Sequence, residues 1–333
     1  MNLSTFHFPL STFTIGLSPM DDITDFPFRQ LCKEMGADLL ITEFIASEAL
    51  NRDAEKSFRK MRFTPEQRPL GIQIFGADED ELLRCLEVVE QAEPDFIDIN
   101  WGCPVRKVAG KGAGSGILQD IPKMLRITAS MVKEAHLPVT VKTRIGYSHD
   151  SMMITDFCEA LQDTGISALS IHGRTKTQMY SGVADWTMIG AVKNNPRMHI
   201  PIFGNGDIIT ATQAVEAHRR YGVDGILIGR GAIGNPWIFE QCQRTFRGES
   251  ERKITVGERV DICRRHLLAA ADFKGERTAV FEMRKHYGAY FKGLYNFKPF
   301  RLALVATPNL EETLAVLDHI KEHYNNAFPS VTQ

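Results

Sequence analysis

The six cysteines, Cys32, Cys85, Cys103, Cys158, Cys242 and Cys263, are scattered, and no two of them form a C-x-x-C pair. Such spacing supplies neither a zinc site nor a disulfide framework, so no metal is expected and a reducing cytoplasm is the expected setting. No apolar run approaches the ~20 residues that a bilayer-spanning helix needs, which argues against a membrane protein. The opening MNLSTFHFPLSTF has no basic leader and its apolar residues are interrupted, so a secretory signal is not expected. There is no low-complexity tract, and no repeat beyond an alternation of short apolar runs with helix-length amphipathic stretches.

That alternation carries the fold prediction. Strand-like runs occupy 14–20, 39–44, 69–76, 96–103, 138–146, 168–174, 200–207 and 224–231, and segments such as 78–92, 120–135, 150–164 and 210–221 have helical apolar spacing. Eight βα units point to a closed (β/α)8 TIM barrel, with an open doubly wound sheet as the alternative. A barrel takes about 250 residues, so the 333-residue chain has room for a second unit. After Gly248-Glu249-Ser250 the strands stop, and 256–274, 276–295 and 309–325 are helical in period, with Lys298-Pro299 read as a break before the last helix. The expected organisation is therefore a barrel over 1–248 followed by a smaller C-terminal helical domain over 249–333.

The near-neutral total charge of −2 conceals an uneven distribution. From Cys242 to Arg301 there are 14 basic and 7 acidic residues, a net of +7, which leaves −9 on the remainder. A basic segment on an acidic body suits a polyanion-binding surface, although basic helical faces are often merely solvated. Aromatic residues interleave with the bases from His286 to Arg301, a pattern that suits stacking on unpaired bases as well as phosphate neutralisation. Tyr287, Phe291 and Leu294 fall at helical spacing and are expected to face inward, with Arg284, Lys285 and Lys292 outward.

In a barrel the carboxyl ends of the strands meet at one rim, where active sites sit. Polar or glycine-rich groups end almost every predicted strand. Cys103, in Asn100-Trp101-Gly102-Cys103-Pro104, is placed there to act as nucleophile or general acid; the alternative is a buried thiol packing as a small hydrophobe. The loop 107–116 that follows is rich in glycine and is read as a lid. Lys142, inside the apolar run PVTVKTRIG, must find an anionic partner, either a bound anion or a structural carboxylate. Gln73 likewise needs its hydrogen bonds met. His172, Asn205-Gly206-Asp207 and Gly229-Arg230-Gly231 end the last three strands, and glycines with an arginine after strands seven and eight fit a phosphate-bearing cofactor.

In their order, the stretches SPMDDITDFPFR (18–29), GIQIFG (71–76), DINWGCP with the following KV and GAGS (98–115), VTVKTRIG (139–146), IHGRT (171–175), FGNGDI (203–208), LIGRGAIGNPWIF (227–239) and RKHYGAYFKG (284–293) resemble the tRNA-dihydrouridine synthase family. The resemblance covers about residues 14–301. It implies an FMN-dependent oxidoreductase that reduces the C5=C6 bond of uridines in tRNA, with NADPH or NADH as reductant. It implies Cys103 as proton donor; Pro19, Met20, Asp21, Gln73, Lys142, His172, Asn205, Gly206, Asp207, Gly229 and Arg230 around FMN; and Asn100, Arg144, Arg284 and Lys285 toward the tRNA. Trp101 replaces a more usual Met or Leu and is expected to alter packing beneath the flavin, while Asp21-Asp22 replaces a commoner small pair. A monomer is expected. Rival readings are a small-molecule flavin ene-reductase like dihydroorotate dehydrogenase, which leaves the +7 segment unexplained, and a non-catalytic RNA-binding protein, which leaves Cys103 and Lys142 unexplained. A phosphate-sugar isomerase lacks an acid–base carboxylate pair at the strand ends.

Overall fold

The computed structural model describes residues 13–52, 54–151 and 154–327. Eight parallel strands form the barrel: β1 (Thr14–Leu17), β2 (Leu39–Ile41, resumed at Ile45–Ala46), β3 (Leu70–Phe75), β4 (Phe96–Trp101), β5 (Val139–Arg144), β6 (Ala168–His172), β7 (Ile202–Asn205) and β8 (Gly225–Ile228). Each pairs with the next, and β1 pairs with both β2 and β8, Gly16 opposite Leu39 and Ile15 opposite Ile226. This closure excludes the open sheet. The strands are shorter than the apolar runs suggest because their polar ends turn out of the sheet to build the rim.

The outer ring comprises α1 (Phe26–Glu34), the short helices Ser47–Leu50 and Glu55–Met61, then α2 (Glu79–Glu90), α3 (Ile121–Glu134), α4 (Ile154–Asp163), α5 (Trp186–Lys193), α6 (Ala211–Tyr221) and α7 (Ile238–Phe246). Side-chain caps set several of their starts: Asp78 accepts from Glu81 N, Asp120 from Lys123 N, and Thr210 with Gln213 forms a capping box. Among the described residues no helix is long and apolar enough to cross a membrane.

Alternation along the strands sorts the barrel interior into levels. Lowest lies a plug of Leu39, Ile41, Phe96, Ala168, Phe203 and Leu227, all buried. Large side chains there fill the space left by glycines: a Cβ on Gly71 would stand 2.1 Å from the Phe96 ring, one on Gly225 2.4 Å from Phe203, and one on Gly16 2.7 Å from Leu227. The floor is therefore sealed. Above it the inward residues turn polar, first Gln73, Asp98 and Thr140, then Asn100, Lys142, Arg144, His172 and Asn205. Trp101 alternates outward instead, fully buried with its indole Nε1 donating to Thr128 Oγ1 of α3 at 3.0 Å. This corrects the expected place of Trp101: it packs strand on helix, and the inward neighbour is Asn100.

The carboxyl-terminal helices are α8 (Val256–Lys274), α9 (Glu276–Tyr290), α10 (Lys298–Ala306) and α11 (Leu310–Ala327). Lys298-Pro299 begins α10 rather than breaking the chain, because a proline in the first helical turn gives up an N–H that has no intrahelical partner. Of the expected inward stripe, Tyr287 and Phe291 are buried and Leu294 packs half-buried against the core, with Tyr290 buried beside them. This layer docks on the barrel through α1, where Phe26 stacks on Phe273 at 4.8 Å and Phe28 packs 5.2 Å from His266 and 5.7 Å from His286. The loop after β8 completes the joint. Gly234 has φ +63°, and a Cβ there would stand 2.3 Å from Tyr290 N.

Burial holds His266 down to about 3 and His286 to about 2. Both folded values lie below the unfolded value of ~6.5. The unfolded chain therefore binds more protons between those limits, and stability is complete above pH 6.5 and lost as pH falls. The expected loss is up to roughly 1.4 kcal/mol per histidine for each pH unit below about 6. Chemical denaturation at pH 7 and pH 5 checks this: the midpoint should drop in the parent protein and change less in a His266→Gln/His286→Gln variant. Equal slopes in the two proteins would remove the pair from the account.

Candidate active site

The chemistry begins at the end of β4. Asn100 Oδ1 accepts from Gly102 N at 3.0 Å and Cys103 N at 2.8 Å, folding the chain back so that residue 103 caps the strand. Gly102 allows this, since a Cβ there would come 3.3 Å from the Lys142 carbonyl oxygen. From the far side, Ser115 N and Ser115 Oγ donate to the Cys103 carbonyl at 3.0 and 2.9 Å. Gly114, at φ +52°, packs so close that a Cβ would stand 2.8 Å from the same oxygen. The second half of the 107–116 loop, Ala113 to Gly116, is thus buried anchorage for Cys103, which corrects the reading of the whole loop as a lid; Lys107, Gly110 and Lys111 are its exposed residues.

Asn100 is itself aimed from below. Its Nδ2 donates to Gln73 Oε1 at 2.8 Å, Gln73 Nε2 donates to Asp98 Oδ2 at 2.6 Å, and Thr140 Oγ1 donates to Asp98 Oδ1 at 2.5 Å. A carboxylate only accepts, so it fixes the amide of Gln73, which fixes that of Asn100. Burial raises the Asp98 carboxyl to about 6, with hydrogen bonds from Thr140 and Gln73 and the charge of Lys142 opposing. Asp98 was missed by the sequence analysis. Its signal was there: a carboxylate two residues before Asn100, on the same face of an apolar strand.

Lys142 stands in the next interior position, 9% exposed, and its Nζ donates to Asn205 Oδ1 at 3.2 Å. Burial first, then the repulsion of Arg144, lower it to about 8, against the pull of Asp98. Among the described residues it enters no ion pair, so two of its three N–H donors are left for a ligand. Asn205 is held by donating to the Leu227 carbonyl at 2.7 Å. His172 is neutral: burial and the cations Arg144, Lys142, Arg174 and Arg230 push it well below the ordinary histidine value. Arg174 Nη1 lies 3.4 Å from His172 Nε2, and since an arginine only donates, the ring proton sits on Nδ1.

The ends of β7 and β8 form a cationic shelf. Asp207, at φ +55°, accepts from Arg174 Nη2 at 2.7 Å, Ala184 N at 2.8 Å and Arg230 Nη2 at 3.2 Å. Gly206 has φ +133°, and a Cβ on it would stand 2.6 Å from Ala184 Cβ. Gly229 lies beside Met20, whose sulfur would be 3.5 Å from a Cβ there. Glycine amides with Arg230 are a donor set suited to phosphate.

The structure thus gathers Met20, Asn100, Cys103, Lys142, His172, Asn205, Gly206, Asp207, Gly229 and Arg230 at one mouth, with Gln73 fully buried beneath Asn100 and both its amide groups bonded, and Pro19 next to Met20 in the chain. Other expected residues are engaged elsewhere. Asp21 pairs with Lys60 at 2.5 Å, and Asp22 N donates to Glu43 at 2.8 Å. Among the described residues, Asp21, Asp22 and Glu43 are one acidic group close enough to share a cation, and Lys60 already occupies that role, 3.5 Å from Glu43. Arg144 donates to the carbonyls of Gly102, Thr175 and Met179 at 2.7, 2.9 and 2.9 Å, tying the Cys103 loop to the loop after β6. Arg284 donates to the Thr307 carbonyl at 3.1 Å, within the helical layer, and Lys285 donates to the carbonyl of Asp22.

The Cys103 thiol is nearly buried and pushed above its ordinary 9.0, burial outweighing a backbone hydrogen bond at Val105 and the charges of Arg144 and Lys142. It is therefore a protonated thiol at neutral pH, fitted to give a proton rather than to attack.

Residues 16–326 match the family model described as dihydrouridine synthase (Dus). A Rickettsia conorii protein named probable tRNA-dihydrouridine synthase is 34% identical over 314 residues, 94% of this chain and 93% of its own. A Pseudomonas aeruginosa protein named tRNA-dihydrouridine synthase B is 36% identical over 286 residues, 86% of each chain. Among solved structures, histamine dehydrogenase from Rhizobium sp. 4-9 superposes with a TM-score of 0.51 at 11% identity, over 77% of this chain and 48% of that one, a likeness of fold alone. The family match runs from the first strand into the last helix and takes in every group assembled at the mouth; this chain belongs to the dihydrouridine synthase family.

Proposed function

We propose that this protein reduces the C5=C6 bond of uridine in tRNA to 5,6-dihydrouridine, with FMN at the barrel mouth, a nicotinamide dinucleotide as reductant and Cys103 as proton donor. The observation that carries the reading is a protonated thiol and a buried, incompletely bonded ammonium sharing one polar mouth above a sealed floor. The names of the relatives supply the substrate. The donor set fits FMN: Lys142 for a delocalised anion, and Arg230 with the amides around Gly206 and Gly229 for a phosphate.

Bound there, FMN supplies the hydride that adds to C6. The residues of the chain do the rest. Lys142 stabilises negative charge in the mouth, and Asn205 holds the ammonium in place. Asp207 orients Arg230 toward the phosphate. Cys103 delivers its proton to C5, where the C4 carbonyl has drawn the electron pair, and the resulting thiolate, eased by Arg144 and Lys142, regains a proton from solvent. Across the cycle one hydride and one proton enter the uracil, and the dinucleotide is oxidised. Asn100 acts as a positioning residue in this scheme, because its oxygen is spent on the Cys103 loop. Arg144 joins it, tying that loop to the loop after β6.

The uridine must leave its stack to reach the mouth, at a cost of a few kcal/mol. Phosphate contacts along the helical layer offset this. Arg284 and Lys285 bond backbone carbonyls, whereas Lys292, Lys298 and Arg301 enter no ion pair among the described residues and flank Tyr295, which is 74% exposed. These four residues form the tRNA surface in this proposal. The test is dihydrouridine formation on unmodified tRNA by the purified enzyme, with a small enone as the competing substrate. Affinity for tRNA should fall steeply with salt, the log–log slope steepening by about 0.7–0.9 for each phosphate neutralised. A Lys292→Ala/Lys298→Ala/Arg301→Ala variant should flatten that slope by about two to three. Binding indifferent to salt would remove the helical layer from substrate capture.

A further inference from the structure

Beside the mouth lies a cleft of about 600 Å³ that the scheme above does not use. One wall is the segment from Pro104 through Arg106 to Gln119, and the other is Tyr147 with Lys176 and Met179. Pro104 directly follows Cys103, so the cleft opens one residue from the thiol. Its two walls are joined by Arg144, which bonds the carbonyls of Gly102 and Met179.

The charge of this cleft is unbalanced. Arg106 is exposed on one wall, its chain neighbours Lys107 and Lys111 are exposed beside it, and none of the three enters an ion pair among the described residues. Across from Arg106, Lys176 Nζ donates to Tyr147 Oη at 3.1 Å and lies 4.7 Å from that ring's centroid, with no carboxylate partner among the described residues. Two uncompensated cations, Arg106 and Lys176, thus line the cleft, with Lys107 and Lys111 close by in the chain, on a part of the molecule whose net charge is −9. Like charges gathered around a concavity repel one another and lower their energy when an anion enters.

We propose that this cleft holds the phosphate-bearing adenosine end of the nicotinamide dinucleotide, gripped by Arg106 and Lys176, while the nicotinamide reaches into the mouth. The inference rests on the reading of a flavin reduced at that mouth. Three observations favour this occupant. The floor is sealed, so a reductant enters by the same mouth as the uracil and its remainder must lie along the rim. The volume is that of a small-molecule or cofactor pocket, while the unpaired cations of the helical layer already offer a polymer its track. The sequence carries no separate dinucleotide fingerprint, so rim cations are the phosphate donors left for the task.

The experiment uses the flavin-loaded oxidised enzyme and NADP+ as probe, with calorimetric binding as readout. Arg106→Ala and Lys176→Ala should each weaken binding about tenfold, the double variant about a hundredfold, and Lys176→Arg should stay within about threefold of the parent. Unchanged flavin content in each variant controls for folding. Under anaerobic conditions without RNA, NADPH should bleach the flavin at an unchanged saturating rate but with a raised half-saturating concentration. With pre-reduced enzyme, KM for tRNA should not move. NADP+ binding equal to the parent's in the double variant overturns the proposal. So does a raised KM for tRNA with NADP+ binding intact, which would assign the cleft to the RNA. A parent enzyme that neither NADPH nor NADH bleaches defeats the underlying reductant reading, and this site with it, before any variant is compared.

Discussion

A Cys103→Ala enzyme is expected to bind flavin and accept electrons from the dinucleotide normally, yet to form dihydrouridine some 10²–10⁴-fold more slowly. The range is that of a lost general acid. The Asn100 carboxamide and Ser115 hold the backbone at residue 103, not its side chain, so truncation leaves the loop in place. A single-turnover reaction of pre-reduced enzyme with tRNA isolates the step. The pH profile gives a second check. The thiol is raised above 9.0, so the parent rate should hold through neutral pH and decline only in alkali, where the proton to be given is already gone. Full single-turnover rate in the alanine enzyme would sink the assignment of Cys103.

Lys142→Ala is expected to act earlier, slowing reduction of the flavin by about 10²–10³, the loss seen when one donor aimed at developing negative charge is removed. Weaker flavin retention should accompany it. Arginine should not rescue, since its rigid planar fork does not fit a site built around a compact ammonium on Asn205. With no ligand bound, Lys142 sits at about 8, so the charge is present below that pH and lost above it. A bound phosphate and the negative charge that develops on the flavin raise that value, so the parent's rate of flavin reduction should hold through pH 8 and fall only above it, and the alanine variant should lack that limb. The same limb in both proteins would show that another group titrates.

The strands, the rim and Cys103 were legible because two-sided burial demands apolar runs, and polar residues at their ends are conspicuous against them. The inward turn of Lys142 followed from alternation alone. What the sequence hid depends on pairing across strands. Asp98 reads as one more charge until β3 and β5 bring Gln73 and Thr140 to it. Trp101 reads as part of the site until the pleat turns it outward onto Thr128. Arg144, Arg284 and Lys285 look like free cations in a list of residues, but backbone carbonyls take them up, and carbonyls leave no mark on composition. Conversely, Lys176 and Arg106 lie in different segments of the chain and meet only across a cleft. The aromatic residues from His286 to Phe297 have a spacing that serves core and stacking alike, and burial assigns His286, Tyr287, Tyr290, Phe291 and Phe297 to the core, leaving Tyr295 outside.

The column from Thr140 through Asp98, Gln73 and Asn100 to the backbone of residue 103 also has a direction. An ionised acid at its base allows one setting of the two amides above it, as a pole sets a row of compass needles. Asp98→Asn would keep the shape and remove the pole, so that either setting satisfies the row and the loop at its top loses a defined anchor. Acidification below about pH 6, where Asp98 takes up a proton, brings the same ambiguity without changing an atom of the sequence.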